Sequence, residues 1–285
     1  MKKYIKLVYK QIILFLPSRI ATIIHYFFIY KRVLNLSNPT YFSEKMIVIK
    51  LSKPRFIDIL SSDKITAKEL LEKLGFKEYL IPTLYIFENV KKIQMQQNDY
   101  PVILKVSNGT SQHVILHNNS EFSDNVNLIN QMMNFKHYTY SKEAVYGYSD
   151  RKIIVEPFLS SDTFGLDDYK IHCFNGNPLF IQINLNNSAN KTRVMLNQDL
   201  EQIDYPFASG SEGKWIPNNQ ELIFKMMDIS KKIASYFTFI RVDFYVVEGK
   251  IKIGELTLHP MAGFMLRNSK VLDLEWGKLL KLKNA

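Results

Sequence analysis

Residues 241–263 read RVDFYVVEGKIKIGELTLHPMAG. Two apolar runs, 239–247 and 250–258, flank the dipeptide Glu248-Gly249. That is the signature of two strands joined by a tight turn. Arg241 and Asp243 stand two apart on the first run, so they share a face; Glu255 and Thr257 do the same on the second. Such a hairpin can bring two carboxylates and one guanidinium to one point on a sheet. Hard cations such as Mg²⁺ take oxygen ligands, often one or two carboxylates plus substrate phosphates. A guanidinium fork pairs two phosphoryl oxygens at once. The stretch therefore points to metal-assisted phosphate chemistry. It equally describes a hairpin with charges on its wet face, so the rest of the chain decides.

The chain has 285 residues, enough for one large domain or two small ones, and a globular composition with 46% hydrophobic and 22% charged residues. A single cysteine, Cys173, excludes an internal disulfide framework and fits a reducing compartment. Its apolar run, KIHCF, marks it as a small core residue rather than a reactive thiol. The net charge of +10 is unevenly placed. Residues 1–36 contain Lys2, Lys3, Lys6, Lys10, Arg19, Lys31 and Arg32 with no Asp or Glu, which leaves the remainder close to neutral. A general nucleic-acid surface would spread its basic residues over the folded body, so no nucleic-acid partner is expected. The first segment combines this charge with apolar runs broken at Pro17, too short to span a bilayer. It fits either peripheral contact with an anionic membrane or packing on the main domain.

Outward from the hairpin, 219–236 reads as an amphipathic helix, and 168–174 and 178–184 as strands joined by Asn175-Gly176-Asn177. Residues 186–217 and 136–150 read as irregular. Residues 153–156 form a short strand stopped by Pro157, and 121–134 a helix. Strands at 102–106 and 114–117 enclose the small-residue turn Ser107–Ser111, and a further strand covers 83–87. Ser62-Asp63 caps a helix over 64–74 that Gly75 ends. Asn38-Pro39 opens a helix to about Leu51.

Several residues in this frame carry chemistry. Lys64 lies in a helix's first turn, where the dipole disfavours a cation unless an anion is near; a solvated surface lysine has the same signature. Lys105 stands in an apolar strand just before a turn whose N–H groups, around Gly109, can cradle phosphate. Glu156 ends a strand next to Phe158 and Leu159, where an adenine amino group and ring could be received. Asp168 and Lys170 share one strand face, as a cross-strand ion pair or as part of the pocket of Arg241.

The order of these pieces is distinctive: S-D-K before a helix, Y-P-V-I-L-K with a small-residue turn, V-E-P-F-L, D-Y-K, then R-V-D and G-E-L-T. Over roughly residues 62–263 it resembles the ATP-grasp superfamily. The segments NPTYFSEKM, DYKIHCFNGNPLFIQ, RVDFYVVEGKIKIGELT and the Pro260–Gly263 turn are similar to its TupA-like branch, which is associated with teichuronopeptide and bacterial capsule or surface-polysaccharide synthesis. The resemblance implies an α+β ATP-grasp fold: two α+β lobes with the nucleotide between them, preceded by a basic helical segment. Its divisions would be 1–61 (basic helical segment), 62–157 (small lobe) and 158–285 (large lobe with the metal site). It implies that Lys64, Lys105 and the Gly109 loop contact ATP phosphates, and that Glu156, Phe158 and Leu159 hold adenine. Asp168 would join the nucleotide site. Asp243 and Glu255, with Thr257, would hold Mg²⁺, and Arg241 and Lys170 would face the γ-phosphate and acceptor. Thr257 stands where many such enzymes carry Asn. Ser111 and Gln112 stand where glycines are expected, which implies a loop that closes less readily over phosphate.

The implied activity is ATP-dependent ligation of a carboxylate to an amine, through an acyl phosphate, in the cytoplasm or on the inner membrane face. The partners would be ATP, a carboxylate-bearing glycan or sugar nucleotide, and an amino acid or amine. A glycan or small-molecule kinase and a nucleotide-binding module without turnover are the alternatives on the same fold.

Overall fold

A computed structural model describes residues 14–160, 166–185, 192–206, 211–215 and 219–282. Lys2, Lys3, Lys6 and Lys10 lie outside the described residues. Two antiparallel sheets organise the chain. The smaller has the order β1-β4-β2-β3, from Tyr85–Phe87, Val102–Val106, His113–Leu116 and Ile153–Pro157 in chain order. The larger has the order β10-β9-β5-β6-β7-β8. Its strands are β5 (Asp168–Phe174), β6 (Asn177–Leu185), β7 (Thr192–Asn197), β8 (Ser211–Glu212), β9 (Phe239–Val247) and β10 (Lys250–Thr257), with only β7 and β8 parallel. The helices are α1 (Ser18–Tyr30), α2 (Phe42–Leu51), α3 (Phe56–Ser62), α4 (Lys64–Lys73), α5 (Asn119–Asn134), α6 (His137–Ser141), α7 (Gln220–Ala234) and α8 (Lys270–Leu279).

The large sheet has one apolar and one divided face. Tyr169, Ile171 and Cys173 of β5 alternate into a core completed by Ile181, Ile183, Val242 and Phe244 and covered by Ile223, Met226, Ile229 and Ile233 of α7. At one end of the opposite face, Phe174, Phe180 and Phe239 pack against Phe42 of α2 and Trp276 of α8. The Phe180 and Trp276 rings stack at 4.2 Å. The other end of that face keeps its charged side chains and is the floor of the site described below. In the small lobe, Val102, Leu104, Ile153 and Val155 pack against Ile129 of α5.

The basic first segment is tied to this body as far as the structure describes it. Ala21, Thr22 and Tyr26 of α1 are buried. Tyr26 Oη and Ser43 Oγ are 3.0 Å apart, and Arg32 donates to Tyr26 Oη and Ser43 Oγ (both 2.9 Å) and pairs with the buried Asp273 of α8. At Gly277 a Cβ would meet Thr40 O at 2.1 Å, so only glycine lets α8 approach the entry to α2 this closely. No helix among the described residues is long and apolar enough to cross a membrane.

Three sequence expectations need correction. The helix expected from Asn38 begins at Phe42, because the Glu44 carboxylate accepts the N–H groups of Asn35, Thr40 and Tyr41 and holds residues 35–41 in a non-helical turn. Within 136–150 the chain forms α6 and a 3₁₀ turn, Ala144–Gly147. Within 186–217 lies β7, whose Val194, Met195 and Leu196 are buried.

Glu143, from this corrected 136–150 segment, is a buried tie between elements. His259 Nδ1 lies 3.2 Å from it and His137 Nε2 3.8 Å. Burial pushes its carboxyl up, but these hydrogen bonds and the charge of Lys50 outweigh that and bring it from 4.5 down to about 2. A carboxyl depressed in the folded state stabilises it fully above its unfolded value, and that stability drains away as pH falls from 4.5 toward 2. Glu143→Gln should cost roughly 1–3 kcal/mol at neutral pH by weakening the buried contact with His259 and removing a charge that favours the buried Lys50. It should also flatten the acid loss over that window, which urea unfolding at both pH extremes measures.

Candidate active site

Glu248 and Gly249 turn the β9–β10 hairpin with φ of 50° and 72°, a two-residue loop in the left-handed region. From the turn, residues pair regularly to Ile253↔Phe244; the next pair is Glu255↔Asp243, followed by Thr257↔Arg241. One extra residue, Gly254, bulges from β10. Were Gly254 instead in register opposite Asp243, Glu255 would face Val242 and point into the core, since a one-residue slip exchanges the faces of a strand. With the bulge, Glu255 stands opposite Asp243 on the polar face. The ring of Tyr245 lies over the bulge: a Cβ on Gly254 would come within 2.5 Å of its Cε2.

A row of charges crosses this face. Arg241 donates to both carboxylate oxygens of Asp243 (2.6 and 2.7 Å) and to Thr257 Oγ1 (3.1 Å). Lys170 bridges Asp243 (2.7 Å) and Asp168 (2.5 Å), because β5 lies beside β9 with Lys170↔Asp243 in register. Asn184 Nδ2 donates to Asp168 Oδ2 (3.1 Å), and Gln182 Nε2 to Asn184 Oδ1 (2.8 Å). The two aspartates differ. At Asp243 burial pushes the carboxyl up, but Arg241 and Lys170 outweigh it and hold it below the usual range. At Asp168 burial wins and the carboxyl is raised; its Oδ1 is buried without a partner. His172, the register partner of Arg241, packs against Phe239 and Trp276, and burial together with the Arg241 charge keeps it neutral, down to about 3.

A second charged group faces this one from α4 and the small lobe. Asp63 caps α4 by accepting from Ile65 N (2.9 Å) and Thr66 N (3.3 Å). The Lys64 amide donates to Ser107 O (2.8 Å), which ties the helix start to the loop after β2. Lys64 Nζ donates to Gly109 O (2.9 Å) and lies 3.7 Å from Glu255. Lys68, one turn further, and Lys105 (2.5 Å) both pair with Glu156. Burial pushes the Glu156 carboxyl up and the two lysines bring it below its usual value. Lys64, Lys68, Glu156, Gly254 and Glu255 line one cleft of about 20 Å³. Phe158 stands at the end of β4 with its amide donating to Pro101 O (3.0 Å), and Leu159 follows it half-buried.

The structure thus gathers Arg241, Asp243, Glu255, Thr257, Lys170 and Asp168 on one face, with Lys64, Lys105, Gly109 and Glu156 opposite. The sequence reading missed Lys68, Arg151 and Gly254. Lys68 follows Lys64 by four on one helix, hence on the same face. Arg151 Nη2 donates to Asn108 O (3.2 Å) and pairs with Gln112 Oε1 beneath the turn. Gln112 is therefore an anchor of that turn, while Ser111 occupies a left-handed φ of 57°. Gly254 is signalled by the apolar alternation, which runs Ile251, Ile253 and then Leu256, Leu258.

The donor set suits Mg²⁺ shared with phosphates. Glu255 is part-exposed and opposite Asp243, and both are hard oxygen donors. Among the described residues no cluster of three or more His, Cys, Asp or Glu would hold an ion by itself, so its other ligands would come from nucleotide and water. Thr257 is engaged by Arg241. Gly254→Ala should displace Tyr245 or straighten the bulge and so disperse the two carboxylates. The expected result is a folded protein whose melting temperature no longer rises with Mg²⁺ and ATP together; Gly254→Ala with Tyr245→Ala should regain part of the shift. An undiminished shift in the single variant would remove the bulge from the argument.

The sequence matches the TupA-like ATP-grasp family over residues 44–281. Among curated proteins no match is found. Solved structures similar to this chain include the D-alanine–D-alanine ligase of Helicobacter pylori, at 18% identity and TM-score 0.46, covering 80% of this chain and 64% of the ligase. An L-amino acid ligase of Bacillus licheniformis is 13% identical with TM-score 0.46, over 84% of this chain and 52% of that one. N5-carboxyaminoimidazole synthetase of Staphylococcus aureus is 14% identical with TM-score 0.44, over 78% and 53%. The chain spans between about half and two thirds of these proteins. The assignment rests on the sequence match, which covers most of the chain and includes every residue of the site: the protein belongs to the TupA-like ATP-grasp family and has the ATP-grasp fold.

Proposed function

We propose that this protein is an ATP-dependent carboxylate–amine ligase of bacterial surface-polysaccharide synthesis. The observation that carries the reading is the pairing of Glu255 with Asp243 across from Lys64, Lys68 and Lys105. That arrangement supplies cations for a triphosphate and carboxylates for its metal, with Lys64 only 3.7 Å from Glu255. Mg²⁺ would be held by Asp243 and Glu255 and would neutralise charge on the transferring phosphoryl group. Lys64 and Lys105 would hold phosphates, and the Gly109 turn would close over them. Glu156, Phe158 and Leu159 would receive adenine. In this reading phosphates take over from Glu156 and Glu255 as counter-ions of the lysines.

Arg241 and Lys170 would hold the γ-phosphate and the acceptor carboxylate in line. A carboxylate oxygen attacks the γ-phosphorus, the bond to ADP breaks, and an acyl phosphate forms. The amine nitrogen then attacks the acyl carbon, phosphate departs, and the amine proton goes to solvent, leaving an amide. A uronic acid of a glycan or sugar nucleotide is the proposed carboxylate and an amino acid the proposed amine. A cytoplasmic setting, where ATP is supplied, agrees with the lone buried Cys173.

Glu255 offers a cleaner test than Asp243. Asp243 is only 3% exposed and satisfies two cations, so an amide there strands buried charge. Glu255 is part-exposed and its Lys64 contact is long. Glu255→Gln should keep the wild-type melting temperature and lower ADP formation by about 10²–10³-fold, the usual cost of removing one preorganised electrostatic contact. ADP and phosphate released with an amide product mark ligation; a stable phosphoester marks a kinase. A Glu255→Gln enzyme with wild-type turnover would sink the metal assignment.

A further inference from the structure

Helix α1 is apolar on two sides. Its sequence from Ile20 to Tyr30 contains no Asp, Glu, Lys or Arg. One side, with Ala21, Thr22 and Tyr26, packs on the body. Ile20, Ile23 and Phe27, spaced three and four apart, share the opposite face, and they are 48, 38 and 50% exposed. Phe15 (89%) and Val33 (79%), before and after the helix, are also exposed. Isolated surface hydrophobics are ordinary, whereas a contiguous apolar patch marks an interaction site. A helix apolar all round belongs in a core or at a lipid boundary.

Charge selects the occupant. Arg19 and Lys31 bracket the apolar face and are exposed, and Lys31 Nζ lies 5.6 Å from the Phe28 ring. Arg32 is turned inward onto Asp273, Ser43 and Tyr26 and is not available. Residues 1–36 carry seven basic and no acidic side chains. A second copy of this segment would bring like charges together and is disfavoured. An anionic lipid surface complements both the apolar face and the charge. The 13-residue helix is too short to span a bilayer, and its inner side is already occupied.

We propose that α1 docks the protein on an anionic membrane. The helix lies flat, with Ile20, Ile23 and Phe27 in the headgroup–acyl boundary and Arg19 and Lys31 on acidic headgroups. The proposal is independent of the ligase reading. Its test uses the full chain, because removing residues 1–37 would strand Asp273 by deleting Arg32. Co-sedimentation is measured with vesicles of phosphatidylglycerol and phosphatidylcholine, and with phosphatidylcholine alone. Wild type should pellet with the anionic vesicles only, and less as salt rises. Ile23→Asp with Phe27→Asp, with an unchanged melting temperature, should bind at least about tenfold more weakly. Should that pair unfold the chain, Arg19→Glu with Lys31→Glu supplies the test and should weaken binding similarly. Wild type left in the supernatant, equal binding to neutral vesicles, or a folded variant that binds like wild type overturns the proposal. So does a dimer in light scattering that the Ile23–Phe27 variant dissolves, which would assign the face to a second copy.

Discussion

One extra residue in β10 sets the chemistry of this sheet. A regular hairpin would place Asp243 opposite Gly254 and bury Glu255 beside Val242. The bulge rotates the end of β10 by one position, so that two carboxylates meet on the polar face while Leu256 and Leu258 still reach the core. The residue at the bulge must be small, because the Tyr245 ring occupies the space above it. Local backbone geometry thus couples core packing on one face to the donor set on the other.

The carboxylates of the site are balanced by cations from different elements. Asp243 is held by Arg241 from its own strand and Lys170 from β5; Glu156 by Lys68 of α4 and Lys105 of β2. Buried carboxylates persist because each is paired. The arrangement also joins the lobes: Lys64 reaches Gly109 of the small-lobe turn and approaches Glu255 of the large sheet. A triphosphate with its metal offers the same charges in a different order, so binding requires these pairs to exchange rather than to be created. The orphaned Oδ1 of Asp168 and the unpartnered Nε and Nη1 of Arg151 flank this network.

What the sequence made legible follows from locality. The hairpin, the Asp63 cap, the strand carrying Lys105 and the faces of Asp168 and Lys170 were readable because neighbours in sequence decide them. The helix start at Phe42 was not, because Glu44 captures amides on its N-terminal side and overrides Pro39. β7 was hidden by polar flanks, since its three buried residues gain their burial from β6 and from the clusters on the sheet's two faces, Val194 and Leu196 on one and Met195 on the other. The Lys68–Glu156 and Arg32–Asp273 pairs join residues far apart in the chain, and spacing carries no trace of them. The bulge lay between: the shift in apolar alternation at Gly254 was visible, but its consequence required the register.

The central claim is that Glu255 and Asp243 jointly hold the metal of a nucleotide bound between the lobes. A crystal structure with Mg²⁺ and a non-hydrolysable ATP analogue tests it most directly. The account predicts an octahedral ion with oxygens of both carboxylates at about 2.0–2.1 Å. It also predicts Lys64 and Lys105 on the phosphates and Arg241 turned from Asp243 toward the γ-position. A metal held by phosphates and water alone, with Glu255 still beside Lys64 and Asp243 still clasped by Arg241, would contradict it.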